Sequence, residues 1–157
     1  MAFGMQLRAM MALTFAGLLL QPSVGAAAGW TGKGGRPAAP LAGYLLDDAA
    51  PALLFRCAGA GRMAMIVAGG AGLPRNADYT VVVSVDDVAY VEVTRGDSAL
   101  AGDSDLVRIA PFASFQPLIA ALKSGKEAEV STPRGRYRVP LKGSGKALAI
   151  LDGGCGA

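Results

Sequence analysis

Two cysteines, Cys57 and Cys155, and a complete lack of histidine set the limits on what chemistry this 157-residue chain can do. Without an imidazole there is no Ser-His-Asp triad, no Cys-His dyad and no His-containing zinc site, because the commonest general base and the commonest zinc ligand are both missing. No remaining nucleophile has an evident base beside it. The chain therefore reads as a binder rather than an enzyme, with no catalytic residue, no metal ligand and no cofactor. The glycine motifs do not change this. Gly59-Ala60-Gly61-Arg62-Met63-Ala64 has the spacing of a dinucleotide loop, which needs a helix to begin there, yet Met63 to Ala68 is a strand-length run closed by Gly69-Gly70. Gly143-Ser144-Gly145-Lys146-Ala147 lacks the hydroxyl that follows the lysine of a phosphate loop, and reads as a helix cap. Met63 and Met65 offer thioethers on one strand face, but without Cys or His beside them they read as core filling.

The charged residues are more informative. Arg134, Arg136 and Arg138 alternate, so they project from one face of a strand, with Lys142 close behind. Such a stripe docks an acidic protein or a phosphate-bearing envelope molecule. The alternative is a solvated outer face that keeps the hairpin from edge aggregation, with Glu129 neutralising one charge. Asp97, Asp103 and Asp105, with Ser98 and Ser104, gather oxygens in one stretch but lack the alternating spacing and bidentate Glu of a calcium loop; a solvated loop is expected, with weak calcium binding as the alternative. Asp86 and Asp87 are adjacent, point apart, and read as turn residues rather than a general acid and base. Trp30 is expected to fold back onto the core.

Composition bounds the partners. The chain is 52% hydrophobic and 17% charged, and its 15 basic and 12 acidic side chains leave a net charge of only +3, which excludes a disordered polyelectrolyte and gives no reason to expect nucleic acid. The first 28 residues have the layout of a signal peptide: Arg8, an apolar block from Ala9 to Leu20, the turn Gln21-Pro22-Ser23, and small residues from Gly25 to Ala28, with cleavage after Ala26 or Ala28. The block is shorter than the roughly 18 residues that span a bilayer, so no stable membrane anchor is expected after cleavage. The mature chain is expected in the periplasm or secreted. In that setting Cys57 and Cys155 are expected to pair, since buried free thiols are uncommon outside reducing compartments. A loop on the order of 100 residues closed this way contributes about 4 to 5 kcal/mol in the chain-entropy picture, and ~2 to 4 in typical measurements.

These groups must be held by short elements. Gly29 to Pro40 is rich in Gly and Pro and reads as a flexible lead-in. From residue 41 to 157, apolar runs separated by Gly, Pro and Asp clusters predict a single disulfide-closed β-rich domain. Strands are expected at Ala52 to Cys57, Arg62 to Ala68, Tyr79 to Val85, Val88 to Arg95 and Leu106 to Ile109. A two-residue turn at Asp86-Asp87 sets Val85 opposite Val88, Val83 opposite Tyr90 and Val82 opposite Val91, which makes both faces apolar and predicts a strand pair covered on both sides, at the centre of the core. Phe115, Leu118, Ile119 and Leu122 recur at helical spacing, with Ser114 as N-cap and Gly125 as stop. A hairpin from Glu127 to Thr132 and Arg136 to Leu141 crosses Pro133-Arg134, with Val130 opposite Tyr137, Ala128 opposite Val139 and Glu129 opposite Arg138. Ser144 caps a last helix, Gly145 to Leu151. The fold class is mainly β (α+β): a compact antiparallel β-sandwich or barrel-like domain with two short helices in the C-terminal half.

The run Phe115-Gln116-Pro117-Leu118-Ile119-Ala120-Ala121-Leu122-Lys123-Ser124-Gly125, followed by Val139-Pro140-Leu141-Lys142-Gly143-Ser144-Gly145-Lys146, resembles the C-terminal half of small bacterial envelope proteins of the invasion-associated locus B family. There, a helix ending Ala-Leu-Lys-x-Gly precedes a hairpin and a Leu-Lys-Gly turn into a final helix. The Phe55-Arg56-Cys57 strand, the Asp86-Asp87 hairpin and the closing Cys155 also resemble the VasI-like accessory proteins of type VI secretion. Both resemblances imply an exported, non-enzymatic β-rich domain whose partner is an envelope or secretion-system protein. The chain departs from the first family in its Ala- and Gly-rich first half and its cysteine placement. A second functional expectation is a secreted inhibitor or immunity protein that blocks an enzyme with the loop Gly69 to Asp78 or Gly96 to Asp105.

Overall fold

A computed structural model describes residues 27–34, 39–46, 50–59, 61–96 and 105–155. The leader up to residue 26 and the acidic stretch 97–104, with its calcium alternative, lie outside the described residues. The strands are β1 (Gly29–Lys33), β2 (Leu41–Leu45), β3 (Pro51–Cys57), β4 (Arg62–Ala68), β5 (Asp78–Val85), β6 (Val88–Gly96), β7 (Asp105–Pro111), β8 (Glu127–Thr132) and β9 (Gly135–Pro140). α1 (Phe112–Ser124) precedes β8, and α2 (Ser144–Asp152) follows β9. All nine strands form one antiparallel sheet in the order β1-β2-β3-β4-β7-β6-β5-β8-β9, curled into a half-barrel. Of the two architectures expected, the barrel-like one is present.

The concave side carries the core because the period-two alternation of each strand puts its apolar set there. Leu53, Phe55, Met63, Met65, Val67, Val81, Val83, Leu106, Val130 and Val139 are buried, and Phe115, Leu118, Ile119 and Leu122 of α1 with Leu148 and Leu151 of α2 close over them. Each such side chain stabilises the fold by about 1.5 to 3 kcal/mol when fully buried. The rings of Phe55 and Phe115 meet edge to face, with centroids 6.3 Å apart. Met63 and Met65 are core filling, and Gly59 and Gly61 take positive φ in the β3–β4 hairpin turn.

Both hairpin registers follow the turn chemistry. Val85 faces Val88, Val83 faces Tyr90 and Val82 faces Val91; Val130 faces Tyr137, Ala128 faces Val139 and Glu129 faces Arg138. Asp86 and Asp87 both adopt positive φ, 44° and 73°, as a two-residue hairpin turn requires. The expectation that β5 and β6 are covered on both faces is corrected. Val81, Val83 and Val85 are buried, but Val88, Val91 and Val93 are 56%, 65% and 60% exposed. Val91 and Val93 point to the convex side, away from both helices, whereas Val88 shares the concave side with Val85 and is exposed at the strand end beside the turn. The convex side is not bare throughout, since Ala64, Ile66 and Val107 are buried there in a second small cluster.

The lead-in is also corrected, because Gly29–Lys33 forms β1 on β2. Its glycines serve close packing. A Cβ on Gly32 would sit 2.7 Å from the Ala147 carbonyl oxygen and from Ile150 Cδ1, so only glycine lets β1 lie this near α2. Trp30 folds back as expected: its indole N–H donates to the Pro140 carbonyl at 2.7 Å, joining the two edge strands of the sheet. The Tyr137 hydroxyl crosses the half-barrel from β9 and donates to the Ala52 carbonyl on β3 at 2.6 Å.

The helix caps differ from expectation. α1 starts at Phe112, with Pro111 at the N-cap, so Ser114 lies inside the first turn and its hydroxyl donates back to the Pro111 carbonyl at 2.7 Å. Gly143, at φ 94°, is the N-cap of α2; Ser144 is buried instead, its hydroxyl 2.6 Å from the Leu122 carbonyl and 2.7 Å from that of Leu141. Cys155, just past α2, is bonded to Cys57 at the end of β3, with Cα atoms 5.1 Å apart.

Two outcomes follow from this packing. Gly32→Val forces β1 away from α2 and lowers unfolding free energy by about 1 to 3 kcal/mol in urea titrations. Burial, with the Asp105 charge adding to it, pushes the Tyr137 phenol above its ordinary range. The folded state then holds that proton more tightly than the unfolded chain, so its contribution is complete below pH ~10 and is lost as pH rises beyond it. Urea midpoints measured from pH 9 to 11 are expected to fall more steeply for the wild type than for Tyr137→Phe.

Candidate functional site

The β8–β9 hairpin carries the arginines singled out above. Inward residues Ala128, Val130 and Val139 are buried, which obliges Glu127, Glu129, Arg136 and Arg138 to stand on the convex face. Arg136 Nη1 is 3.7 Å from Glu129 Oε1, and Arg138 Nη1 is 3.3 Å from Glu127 Oε1. Both are diagonal cross-strand pairs, with the arginine side chains 74% and 70% exposed. Arg134 does not share this ladder. It occupies the turn, its backbone N–H 3.3 Å from Thr132 Oγ1, and its guanidinium lies against Gly72. The three-residue stripe is thus two paired arginines on the face and one at the hairpin tip, so any anionic partner of Arg136 and Arg138 competes with two carboxylates.

Beside the ladder an open cleft of about 660 Å³ is lined by Asp86, Asp87, Glu127 and Glu129 with Lys126 and Arg138. Asp86 is held there structurally: its carboxylate accepts from the backbone N–H groups of Lys126 at 3.1 Å and Glu127 at 3.3 Å. That tie joins the β5–β6 turn to the α1–β8 connection, and it explains why an aspartate tolerates positive φ at this position. The arrangement can bind a polar group of mixed charge. The resolved hydroxyl hydrogen bonds of Tyr79, Thr94, Ser114, Ser124, Tyr137 and Ser144 all run to backbone carbonyls.

Glu92 and Arg108 escaped the sequence reading. They pair on the concave side, Glu92 almost wholly buried, with the Arg108 guanidinium 4.9 Å from the centre of the Phe115 ring. Alternation with Val91 and Val93 would turn Glu92 outward; the register that sets it opposite buried Val81 turns it inward, and its partner four positions into β7 carried no sequence signal. The loop Gly69 to Asp78 is tethered, with the Tyr79 hydroxyl donating to the Pro74 carbonyl at 2.7 Å and Leu73 packed partly into the core.

Comparison with protein families, with curated proteins and with solved structures finds no match for this chain. The class it can be given is that of its fold, a mainly β half-barrel of nine antiparallel strands with two helices on its concave side.

Because both ladder pairs are solvent-exposed, Arg136→Ala and Arg138→Ala are each expected to cost no more than about 0.5 kcal/mol in urea unfolding. A larger loss would assign the arginines to holding the sheet edge.

Proposed function

We propose that the protein is an exported binding or accessory module of the bacterial envelope, acting in the periplasm or secreted, that recognises an envelope or secretion-system protein and catalyses no reaction on it. The observation that carries this reading is the Cys57–Cys155 disulfide, which belongs to an oxidising compartment. The signal-like leader points the same way. None of the described helices is long and apolar enough to cross a membrane, which is compatible with that placement. Recognition is assigned to the convex face of β8–β9, where Arg138 lines the polar cleft and Arg136 stands next to it in the ladder. The tethered Gly69 to Asp78 loop favours a second reading, an inhibitor or immunity protein, because a segment held in place binds a cleft at lower ordering cost.

Expression of the full chain in a bacterial host, followed by fractionation and thiol alkylation, tests the first reading. The expected product is shortened at Ala26 or Ala28, lies outside the cytoplasm and has no reactive thiol; in-cell crosslinking to an envelope protein is lost in the Arg136→Ser, Arg138→Ser double variant. A full-length cytoplasmic product with two labelled thiols would overturn it. Crosslinks that survive the double variant but vanish when Pro74 and Arg75 are replaced by Gly and Ser would move the assignment to the inhibitor reading.

A further inference from the structure

β6 and β7 are neighbours in the sheet but pair at only two positions, Arg95↔Val107 and Gly96↔Leu106, although they run for nine and seven residues. β7 ends at Pro111, where the chain turns inward as α1, and a proline offers no N–H. β7 has already left β6 at Arg108 while it stays paired with β4 as far as Pro111, so the first part of β6 is an internal edge. Its polarity follows from the turn. A two-residue hairpin makes Val85 and Val88 a hydrogen-bonded pair, so Val88, Tyr90, Glu92 and Thr94 direct their backbone groups at β5. Ala89, Val91, Val93 and Arg95 direct theirs the other way. Arg95 meets Val107; among the described residues no strand pairs with Val91 or Val93 on that side.

The same residues are bare on the surface. Val91 and Val93 are 65% and 60% exposed and Ile109, across the opening, is 36% exposed. A cleft of about 400 Å³ lined by Val93, Val107, Arg108 and Ile109 lies between the strands. Edge strands are ordinarily blunted by charge, proline or a bulge. Here Ala89, Val91 and Val93 carry no charge, and the β5–β6 register runs without a shift. Arg62, opposite Pro111 on β4, is exposed, has no carboxylate partner among the described residues, and lines the adjoining groove with Leu41 and Ile109.

We propose that this opening accepts an extended segment of a partner protein as an added antiparallel strand along Ala89 to Val93, with apolar side chains alternating onto the convex valines and a carboxylate meeting Arg62. Main-chain hydrogen bonds supply the attraction and the alternate side chains supply the selectivity. The proposal deepens the binding-module reading and rests on it, but it uses a different surface from the arginine ladder.

The test is amide hydrogen exchange by NMR on the disulfide-bonded protein, with a capped hexapeptide of alternating valine and threonine ending in glutamate as probe. In the free protein the Val91 and Val93 amides are expected to exchange at least about tenfold faster than those of Tyr90 and Glu92, and to slow by a similar factor at saturating peptide. Val91→Pro removes a donor that β5 does not use, so it should leave the fold intact and weaken the peptide at least about tenfold. Val91→Lys, which keeps the backbone donor but puts a charge on the edge, should weaken it as well. Arg62→Ser should weaken the glutamate peptide and leave its glutamine counterpart unchanged. Three results would each overturn the proposal: Val91 and Val93 amides already as slow as Tyr90 in dilute free protein, protection that grows with protein concentration alone, or no protection at millimolar peptide. Arg136→Ser with Arg138→Ser should not alter peptide capture, so loss of the ladder crosslink with capture intact would sink only the earlier reading.

Discussion

α2 is pinned at both ends, and the half-barrel depends on it. At its start the Ser144 hydroxyl reaches the Leu122 carbonyl that closes α1; past its end Cys155 is bonded to the last residue of β3. Between these ties the helix lies on β1 and β2 closely enough that position 32 admits no side chain. A sheet that curls without closing has an open concave side and two free edges. Two helices seal the side, and Trp30 and Tyr137 reach across from edge strands to backbone carbonyls that the ladders leave free. Without a fixed α2, Leu148 and Leu151 would leave the core and the Trp30 bond to Pro140 would lose its backing.

That construction divides the polar groups by duty. Those on the concave side are occupied: Glu92 with Arg108, and Tyr137 with Ala52. Even Asp86, at the lip of the polar cleft beside the ladder, holds two backbone N–H groups. Groups with freedom to meet another molecule stand on the convex face, in the β8–β9 ladder and along the exposed valines of β6. The exterior thus mixes exposed apolar and charged residues, the kind of surface on which the proposed recognition rests.

Much of this was legible from local pattern. The strands from Ala52 onward, both helices and both hairpin registers follow from alternation, helical spacing and two-residue turns, since a slip of one residue would turn every apolar side chain outward. The arginine alternation was legible for the same reason. β1 and β2 were not, because their glycines answer to tertiary neighbours: Gly32 to α2, more than 100 residues away in sequence, and Gly43 to Leu53 and Leu54 of β3. Ser114 misled as a cap because Pro111 can begin the helix three residues earlier with no side-chain acceptor. The carboxylate partners of Arg136 and Arg138 were half visible: Glu129 was named, but the diagonal geometry that also recruits Glu127 depends on sheet twist.

By itself the amino-acid order determined what neighbouring residues can do to one another: where chains turn, which side chains share a face, and which families of catalysis are closed to a protein without histidine. Only the tertiary structure decided which faces meet water. Valines 82, 91 and 93 read as core in any one-dimensional pattern, yet two of them stand exposed, because the number of layers packed on a sheet is a property of the whole chain and not of the strand. The early parting of β6 from β7, which pair only as far as Val107 although β7 follows β4 to Pro111, is likewise visible only in the assembled sheet.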